Sequence, residues 1–432
     1  MRGFLISGVA ALLVSGCTKT SEKYCDMHED PAHCPTPDAP VGSSCGDSTD
    51  CAAPTPVCDT AGSKTCVQCV ASTDCTTLAT APVCTVTTHT CGGCRVHADC
   101  GSDACMPDGS CAQMGDVAYV DTVTGGGAGS GCARSTPCSK VSQGIATLRK
   151  VIKLTGANDE TVTIDDRATG VTILGGPNAQ LLRSSGLILD VKGTSNVTVV
   201  DVIIGPNTAL STTGVSLGAA STGSLELRRV RVQNNNSGGV RVQDGALRMF
   251  ASTVYGNLGG GVTVSPTALT YVLRNNFIIG NGKSNGVNPN PSQAGGALLE
   301  PSVGGTFEYN TVALNGSSGI KAPGVQCDGT SNMAANNIIV ANTDGMNGTQ
   351  NTNQVNGGAS CAFGNSVRLG NGAPLMFLLP AGDPADFHLT AASPATVRDA
   401  AGDCSAAVPT DVDGQRRPYN LACDLGADEY QP

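Results

Sequence analysis

The residues that carry acid–base or metal chemistry are few and widely separated in this chain. His388 is the one histidine downstream of the repeated second half, and the other four precede it: His28, His33, His89 and His97. Enzymes that cleave glycans need clustered carboxylates, or a basic residue beside acidic cation ligands. The single Asp-Asp pair, Asp165–Asp166, lies far upstream of the repeats. The sequence therefore predicts no catalytic set.

Asparagine, by contrast, recurs at a regular place. The stretches "RVQNN", "TVYGN", "FIIGN", "TVALN" and "IIVAN" end on Asn235, Asn257, Asn281, Asn315 and Asn342, at spacings of 22, 24, 34 and 27 residues. Apolar residues stand three positions before each one: Val232, Val254, Ile278, Val312 and Ile339. Mostly apolar residues stand eight positions before: Leu227, Met249, Leu273, Phe307 and Ala334. About five residues after each asparagine, an apolar residue directly follows a glycine: Val240, Val262, Val287, Ile320 and Met346.

A repeat with three short alternating strands predicts a solenoid in which each coil contacts only its neighbours. We interpret it as a right-handed single-stranded parallel β-helix, an all-β fold. Stacked coils would rise by about 4.8 Å, so equivalent asparagines would lie above one another and pair their side-chain amides. The frame extends weakly upstream to Asn207, and Asn178 ends a further candidate coil. The longest spacing contains "NPNPSQ", which is typical of an inserted loop.

The strand before each asparagine also predicts an outward face. Its two outward rows are rather apolar and contain no carboxylate: Arg231, Thr253, Phe277, Thr311, Ile338, and Gln233, Tyr255, Ile279, Ala313, Val340. Such rows indicate cover by the inserted loop or by a partner surface. The few charges nearby should pair across neighbouring strands, Glu226 with Arg248 and Arg274 with Glu308.

The N-terminus predicts export. Arg2 precedes a short apolar run that ends in Val-Ser-Gly-Cys17, which resembles the lipobox of bacterial lipoproteins. That resemblance implies a lipid on Cys17 and, because Thr18 follows rather than Asp, the outer membrane or cell surface of a Gram-negative bacterium. Removing Cys17 from the 21 cysteines leaves an even number for disulfides, 21 − 1 = 20. Ordinary signal cleavage is the alternative.

Cysteine sets the pattern of the next segment. Three sets of four each open Cys-x5-Cys: Cys45, Cys51, Cys58, Cys66; Cys69, Cys75, Cys84, Cys91; and Cys94, Cys100, Cys105, Cys111. In an exported chain this predicts small modules held by disulfides, with first-to-third and second-to-fourth pairing as our choice among three. Zinc bound by the Cys-x-x-Cys pairs at Cys66–Cys69 and Cys91–Cys94 is the alternative.

The ends of the repeat region carry a second resemblance. "ASPATVRDAAG" and "TDVDGQRRPYNLACDLGADEY" resemble the C-terminal segment of the choice-of-anchor Q group of bacterial β-helix proteins, related to pectate-lyase-like β-helices. With the lead-in, the resemblance covers about residues 117 to 430. In the lead-in, Val141, Ile145 and Leu148 share one helical face suited to capping the end of the coils. Remaining cysteine candidates for disulfides are Cys25, Cys34, Cys132 with Cys138, Cys327 with Cys361, and Cys404 with Cys423.

No cofactor is predicted, although Asp411 and Asp413 could ligate calcium. A structural turn with an Asp paired to Arg416 or Arg417 is the preferred interpretation. The lack of a basic stripe or stacking rings excludes a nucleic-acid binder. From Thr18 to Asp116 the charge is 4 − 13 = −9 of the formal −10.

The predicted domains are a signal peptide (1–16), a tether (17–44), Cys-rich repeats (45–115), a capped parallel β-helix (116–375) and a C-terminal segment (376–432). The predicted function is a surface-anchored lipoprotein used for display, adhesion or binding of a glycan or surface protein. The alternative is a polysaccharide lyase or glycoside hydrolase. Asn342-Thr343-Asp344 is similar to part of a polygalacturonase motif, but the elements that should follow it are missing from the sequence.

Overall fold

A computed structural model describes residues 44–432 apart from 79, 128, 130, 208–212, 283–294, 302, 318–321, 328–331, 345–354, 358–360, 372 and 381–384. The side chains of 332, 344, 356, 357, 361 and 362 also lie outside the description. The chain forms two compact units. The first comprises residues 1–95 with 108–110, and the second comprises 96–107 with 111–432.

The described part of the first unit contains two small hairpins, each beside a short 3-10 helix. Its strands are Val57–Cys58, Cys66–Val67, Val83–Thr85 and Thr90–Gly92, and its helices are Ser48–Asp50 and Ser72–Cys75. Its buried residues are mostly cysteines, joined as Cys45–Cys58, Cys51–Cys66, Cys69–Cys84 and Cys75–Cys91. Disulfides thus replace an apolar core, as the cysteine spacing predicted.

Three long parallel sheets build the second unit from the described residues. Sheet A has the strands Val117–Asp121, Val151–Thr155, Val171–Gly175, Asn196–Val200, Ser224–Arg228, Ala246–Phe250, Thr270–Arg274, Gly305–Glu308, Asn332–Ala335 and Cys361–Gly364. Sheet B has Ala157–Asp159, Gln180–Arg183, Ile203–Asn207, Arg231–Gln233, Thr253–Tyr255, Phe277–Ile279, Thr311–Ala313, Ile338–Val340 and Val367–Leu369. Sheet C has Val162–Asp165, Leu189–Lys192, Val215–Leu217, Val240–Val242, Val262–Val264, Ala297–Leu299, Val325–Cys327 and Val355–Gly357.

Each full coil contributes one strand to each sheet, and equivalent strands pair in register; the first described coil adds a strand to sheet A alone, and the last adds strands to sheets A and B. Val254, for example, lies between Val232 and Ile278 on neighbouring strands of sheet B. The inward side chains of all three sheets form one continuous apolar core. The predicted parallel β-helix is confirmed. A two-stranded ladder, Gly316–Ser317 with Thr343–Asp344, extends the turn after sheet B in two late coils.

The positions predicted for the sheet C strands of the later coils were wrong. The strands there begin at Ala297, Val325 and Val355, which pair in succession after Val262. Val287, Ile320 and Met346 lie outside the described residues. The extra chain is therefore inserted directly after the asparagine, before the third strand, where a fixed count from the asparagine does not reach the strand.

The helix at the start of the coils is Val141–Ala146. Val141 is fully buried and Ile145 packs against the core, as their spacing predicted. Leu148 was predicted wrongly, since it is 72% exposed and has a φ of 61° beyond the end of the helix. Thr147 still has α-helical dihedral angles, but the chain leaves the α-region at Leu148, which carries this side chain off the helical face.

Most of the third cysteine set belongs to the second unit, unlike the predicted boundary at residue 115. His97–Asp99 and Met114–Asp116 form 3-10 helices there. The Tyr119 hydroxyl donates to the Ser102 carbonyl at 2.7 Å, and His97 Nε2 lies 2.9 Å from the carbonyl oxygen of Gly175. Ala104 is buried in a cluster with Tyr119. These contacts hold residues 97–104, which belong to the third cysteine set, on the first coils.

The C-terminal segment, residues 376–432, follows the 3-10 helix Ala373–Leu375 and is irregular apart from short bridges. It packs on the outer face of sheet B. Gly426 illustrates how closely, because a Cβ there would lie 2.6 Å from Thr311 Oγ1 and its φ is 80°. Only glycine permits both the approach and that backbone conformation. No described helix is long and apolar enough to cross a membrane.

Candidate ligand-binding groove

The predicted asparagines meet in one buried ladder. Each Nδ2 donates to the Oδ1 of the next coil, at 2.8 Å from Asn235, 2.9 Å from Asn257, 3.0 Å from Asn281 and 2.8 Å from Asn315, where the acceptor is Asn342. All five side chains have 0% exposure. From Asn257 to Asn342 each side-chain oxygen accepts from the coil before it, whereas Asn235 Oδ1, at the upstream end of the ladder, is buried without a hydrogen-bond partner among the described residues.

Two upstream asparagines behave differently. Asn207 is buried and bridges Asn235 through the backbone, while its Nδ2 donates to Gly186 O at 2.5 Å. Asn178 is exposed, because the strand before it, Val171–Gly175, belongs to sheet A rather than sheet B. Asn178 was therefore aligned in the wrong turn.

A second ladder runs at the turn from sheet A to sheet B and was missed. Asn276 donates to Asn310 at 2.9 Å, and Asn310 donates to Asn337 at 3.2 Å. Ser252 and Ser366 extend it at its two ends. The signal was present in the sequence, since these residues stand five positions before Asn281, Asn315 and Asn342 and give the frame Asn-x-Val/Ile-x-x-Asn.

The apolar outward rows of sheet B are covered by the chain's own C-terminal segment. Phe277, Ile279, Ile338 and Val340 are buried in one cluster, and their partners come from that segment: Phe377, Phe387, Leu389, Val397, Val412, Leu425 and Ala427. The prediction that these rows are covered was correct. The described cover is the C-terminal segment; the loop predicted as cover, which contains "NPNPSQ", lies outside the described residues, and a partner surface stays a prediction.

A buried arginine fastens this segment. Arg417 is 1% exposed, and its Nε donates to Glu429 Oε2 at 3.0 Å. Its Nη1 donates to Asn275 Oδ1 at 2.8 Å on the coils. Its Nη2 donates to three carbonyls of the segment, those of Asp424, Gly426 and Asp428. Arg417 thus pairs with Glu429, not with the aspartates of the Asp-Val-Asp turn.

Asp411 and Asp413 have separate roles in that turn. Asp411 is fully buried and accepts from the backbone N–H groups of Asp413, Gln415 and Glu429 at 2.8–3.2 Å. Burial raises the pKa of Asp411. Asp413 points to His388 instead. Calcium ligation by this pair stays a prediction.

A groove of about 670 Å³ opens beside the end of this cover, on the outer face of sheet B. One wall is the sheet, with Arg231, Gln233, Thr253 and Tyr255. The opposite wall is the C-terminal segment, with Asp386, His388 and Asp413, and Phe277 of the sheet wall contacts His388. The groove is concave and mixed in polarity, as small-molecule and oligosaccharide sites are.

His388 is held between two carboxylates on its wall. Its Nδ1 lies 2.5 Å from Asp386 Oδ1, and its Nε2 lies 2.7 Å from Asp413 Oδ2. The hydrogen bond to Asp413 raises the pKa of His388 to about 9, and the same bond lowers the pKa of Asp413. At neutral pH the ring is therefore an imidazolium that donates to both carboxylates. The edge of the ring meets Phe277 with centroids 5.1 Å apart.

Two arginines line the sheet side of the groove, and a carboxylate neutralises the charge of one of them. Arg229 donates to both oxygens of Asp201 at 2.7 and 2.8 Å, a bidentate pair. Arg231 is exposed at the groove edge. On the neighbouring face of sheet A, Arg274 pairs with Glu308 at 3.0 Å as predicted. Glu226 lies opposite Arg248 in register, but its ion pair is with Arg228, which folds over the Phe250 ring.

The remaining sequence-predicted residues fall into two groups. Disulfides join Cys132 to Cys138, Cys404 to Cys423 and Cys100 to Cys111. Cys94, Cys105 and Cys327 are also disulfide-bonded, but the side chain of Cys361 lies outside the description. Cys17, Cys25 and Cys34 likewise lie outside the described residues, so their roles stay predictions.

Fold and groove together define the class: the chain is a parallel β-helix protein with a disulfide-rich N-terminal unit. No family model matches the chain, and no curated protein matches it. Among solved structures, the crystal structure of pectate lyase Pel9A is similar, with a TM-score of 0.46 and 14% identity over 73% of this chain and 96% of that chain. A similarity of this size carries no inference about activity.

Proposed function

We propose that this protein is a non-catalytic binding protein of the bacterial surface, and that its sheet B groove takes a polysaccharide chain. The observation that carries the proposal is the state of the ionisable groups in the groove. His388 is locked as an imidazolium between Asp386 and Asp413.

These groups are poorly matched to proton transfer. An efficient general acid or base has a pKa near the working pH. The hydrogen bond with Asp413 moves the pKa of His388 to about 9 and lowers that of Asp413, so both hold their protonation state near neutrality. Glycosidases also require two carboxyl groups with separate duties toward one bond. Here Asp386 and Asp413 serve the same imidazolium.

The other groove residues are suited to a carbohydrate. Sugar rings present hydroxyl groups around their edge and apolar C–H faces. Gln233, Thr253 and Arg231 supply hydrogen-bonding groups, and Tyr255 supplies a partly buried ring. Because the sheet B strands stack along the axis, a linear chain laid across coils would meet these residues in succession.

Lipid attachment at Cys17 would present this groove outside the cell. The support is the Val-Ser-Gly-Cys17 site and the even cysteine count that remains without Cys17. Intact mass and detergent partitioning of the mature protein test the anchor. An unmodified N-terminus that begins elsewhere would contradict it.

The binding proposal is tested on a glycan array and by calorimetry, with the full chain and two matched variants. Arg231→Ala removes an exposed arginine at the groove, and Arg241→Ala removes an exposed arginine on sheet C. We expect Arg231→Ala to weaken binding about 10-fold, in line with the loss of one charge-assisted hydrogen bond, and Arg241→Ala to change it little.

Acidic and neutral polysaccharides are then incubated with the protein, with and without calcium, and followed for new reducing ends and for ultraviolet absorbance of unsaturated products. Intact polymers are expected. Depolymerisation that Arg231→Ala abolishes would overturn the non-catalytic proposal and favour a lyase or hydrolase.

A further inference from the structure

We propose that His388, Asp413 and Asp428 form a binding site for a divalent transition-metal ion such as Zn²⁺ in the wall of the groove. One ligand atom from each residue lies within 4.8 Å of the other two. The three residues come from two parts of the C-terminal segment that its packing on sheet B brings together. The site shares His388 and Asp413 with the groove, but the argument for it requires no bound glycan.

The ligand types fit zinc and not calcium or magnesium. Zinc takes imidazole nitrogen and carboxylate oxygen at about 2.0–2.2 Å, and sites with three protein ligands keep one position open. In tetrahedral geometry, bonds of that length place neighbouring ligand atoms roughly 3.3–3.6 Å apart, between the 2.7 Å from His388 Nε2 to Asp413 Oδ2 and the 4.8 Å limit of the set. Calcium and magnesium prefer all-oxygen sites, so an imidazole ligand selects against them.

The surrounding contacts orient the proposed ligands. Asp386 Oδ1 lies 2.5 Å from His388 Nδ1, which leaves Nε2 for the metal. A carboxylate on the second imidazole nitrogen is the usual support of a metal-binding histidine. Asp428 is held by the backbone N–H of Leu389, which donates to its Oδ2 at 2.6 Å. The Phe277 ring, nearly perpendicular to the imidazole, restricts its rotation.

The local charge favours a cation. Asp411 and Asp428 are 0% and 5% exposed, and Asp386 and Asp413 flank the same imidazole. The nearest buried guanidinium described, that of Arg417, is already paired with Glu429. Buried carboxylates need a compensating charge. A divalent ion supplies it, and the proton on Nε2 leaves to solvent when the metal binds.

The test is calorimetric titration of ZnCl₂ into the oxidised, EDTA-treated full chain, together with thermal unfolding. We expect one equivalent of Zn²⁺ to bind in the micromolar range or tighter and to raise the melting temperature. Asp413→Asn, a same-size change at a half-exposed side chain, should weaken binding at least 10-fold. His89→Gln, a histidine in the first unit, is the matched control and should bind as the unchanged chain does.

Three outcomes would overturn the site. They are no saturable binding below about 100 μM, equal zinc affinity in Asp413→Asn and the unchanged chain, and tighter binding of Ca²⁺ than of Zn²⁺. Melting of Asp413→Asn without metal separates a lost site from a lost fold. Glycan binding in EDTA is recorded in parallel, so the groove and the metal site succeed or fail separately.

Discussion

The Asn ladders and the C-terminal segment bury polar side chains in opposite ways. The ladders contain only neutral side chains, amides with one serine at each end of the second ladder, and every member from Asn257 to Asn315 of the first ladder donates to the next coil. The C-terminal segment buries charges instead: Arg417, Asp411, Asp424, Asp428 and Glu429 are at most 5% exposed. In the ladders each coil supplies the hydrogen-bond partners of the buried amides in the next coil. In the C-terminal segment one network of ion pairs and hydrogen bonds supplies the partners of all the buried charges.

The difference follows from sequence distance. Each ladder bond joins residues one coil apart, 22 to 34 positions in the sequence. The Arg417 contact with Asn275 joins residues 142 positions apart. A neutral ladder therefore tolerates loss of register poorly but is insensitive to pH, while the charged network depends on every partner keeping its charge.

The largest expected effect is from Arg417→Met. Removing the guanidinium leaves Glu429 buried and unpaired, and breaking such a pair costs about 3–5 kcal/mol. Urea unfolding of the full chain measures the change in the free energy of unfolding. Arg416→Met, at an exposed neighbour, is the control. Adding Glu429→Gln to Arg417→Met should restore part of the loss, and a double variant no better than the single one would argue against the pair.

Asn281→Ala should come next, with a loss of about 2–4 kcal/mol. The change leaves the backbone N–H and Nδ2 of Asn257 without their shared acceptor, and a buried unsatisfied group costs about 1–3 kcal/mol. The same unfolding measurement applies. Asn371→Ala, at an exposed residue, should cost much less. Equal losses at both positions would mean that the ladder has no special stability.

A pH scan separates the two regions further. Burial raises the pKa of Asp424 to about 6, from an ordinary 3.8. The folded chain therefore binds more protons than the unfolded chain between these values, so this group's contribution to stability is greatest near pH 4 and falls as pH rises to 6. The expected fall is about 1–3 kcal/mol. Asp424→Asn should reduce that slope but not abolish it, because burial also raises the pKa of Asp428 to about 6, whereas Asn281→Ala should leave the slope unchanged. A slope in Asp424→Asn equal to that of the unchanged chain would exclude this assignment.

The smallest effect is expected at the coil surface. Arg274 and Glu308 form a partly exposed ion pair, so a double-mutant cycle should give a coupling of about 0.2–1 kcal/mol. Glu226 and Arg248 have the same in-register geometry, but Glu226 pairs with Arg228. Their coupling should be near zero. A larger coupling for the second pair would reverse our account of that face.

Local repetition made the coils predictable from the sequence. The Asn ladder, the inward positions such as Val254 and Leu273, and the disulfide pattern all follow from spacing. The second ladder was missed because Ser252 and Ser366 break the run of asparagines at its ends. The third strand of later coils was misplaced because the insertions there vary in length.

The groove was not predictable, because its walls are far apart in sequence. Tyr255 and His388 meet only after the irregular segment from 376 onward has packed on sheet B. That segment has no periodicity from which a register could be deduced. In the sequence, His388 is a lone histidine in the C-terminal segment, with no repeated motif around it. Its position between Asp386 and Asp413 depends on the turn that contains Asp413, 25 residues further along the chain.

The late position of the cover has a consequence for how the protein is made. Synthesis proceeds from the N-terminus, so the coils bearing Phe277, Ile279, Ile338 and Val340 are complete before residues 376–432 exist. During that interval the C-terminal segment does not yet cover their apolar row, and an exposed flat apolar row of this kind favours association between chains. A chain terminated after Leu375 would keep its coils and expose that row permanently. Residues 376–432 therefore cover an apolar row that is synthesised before them.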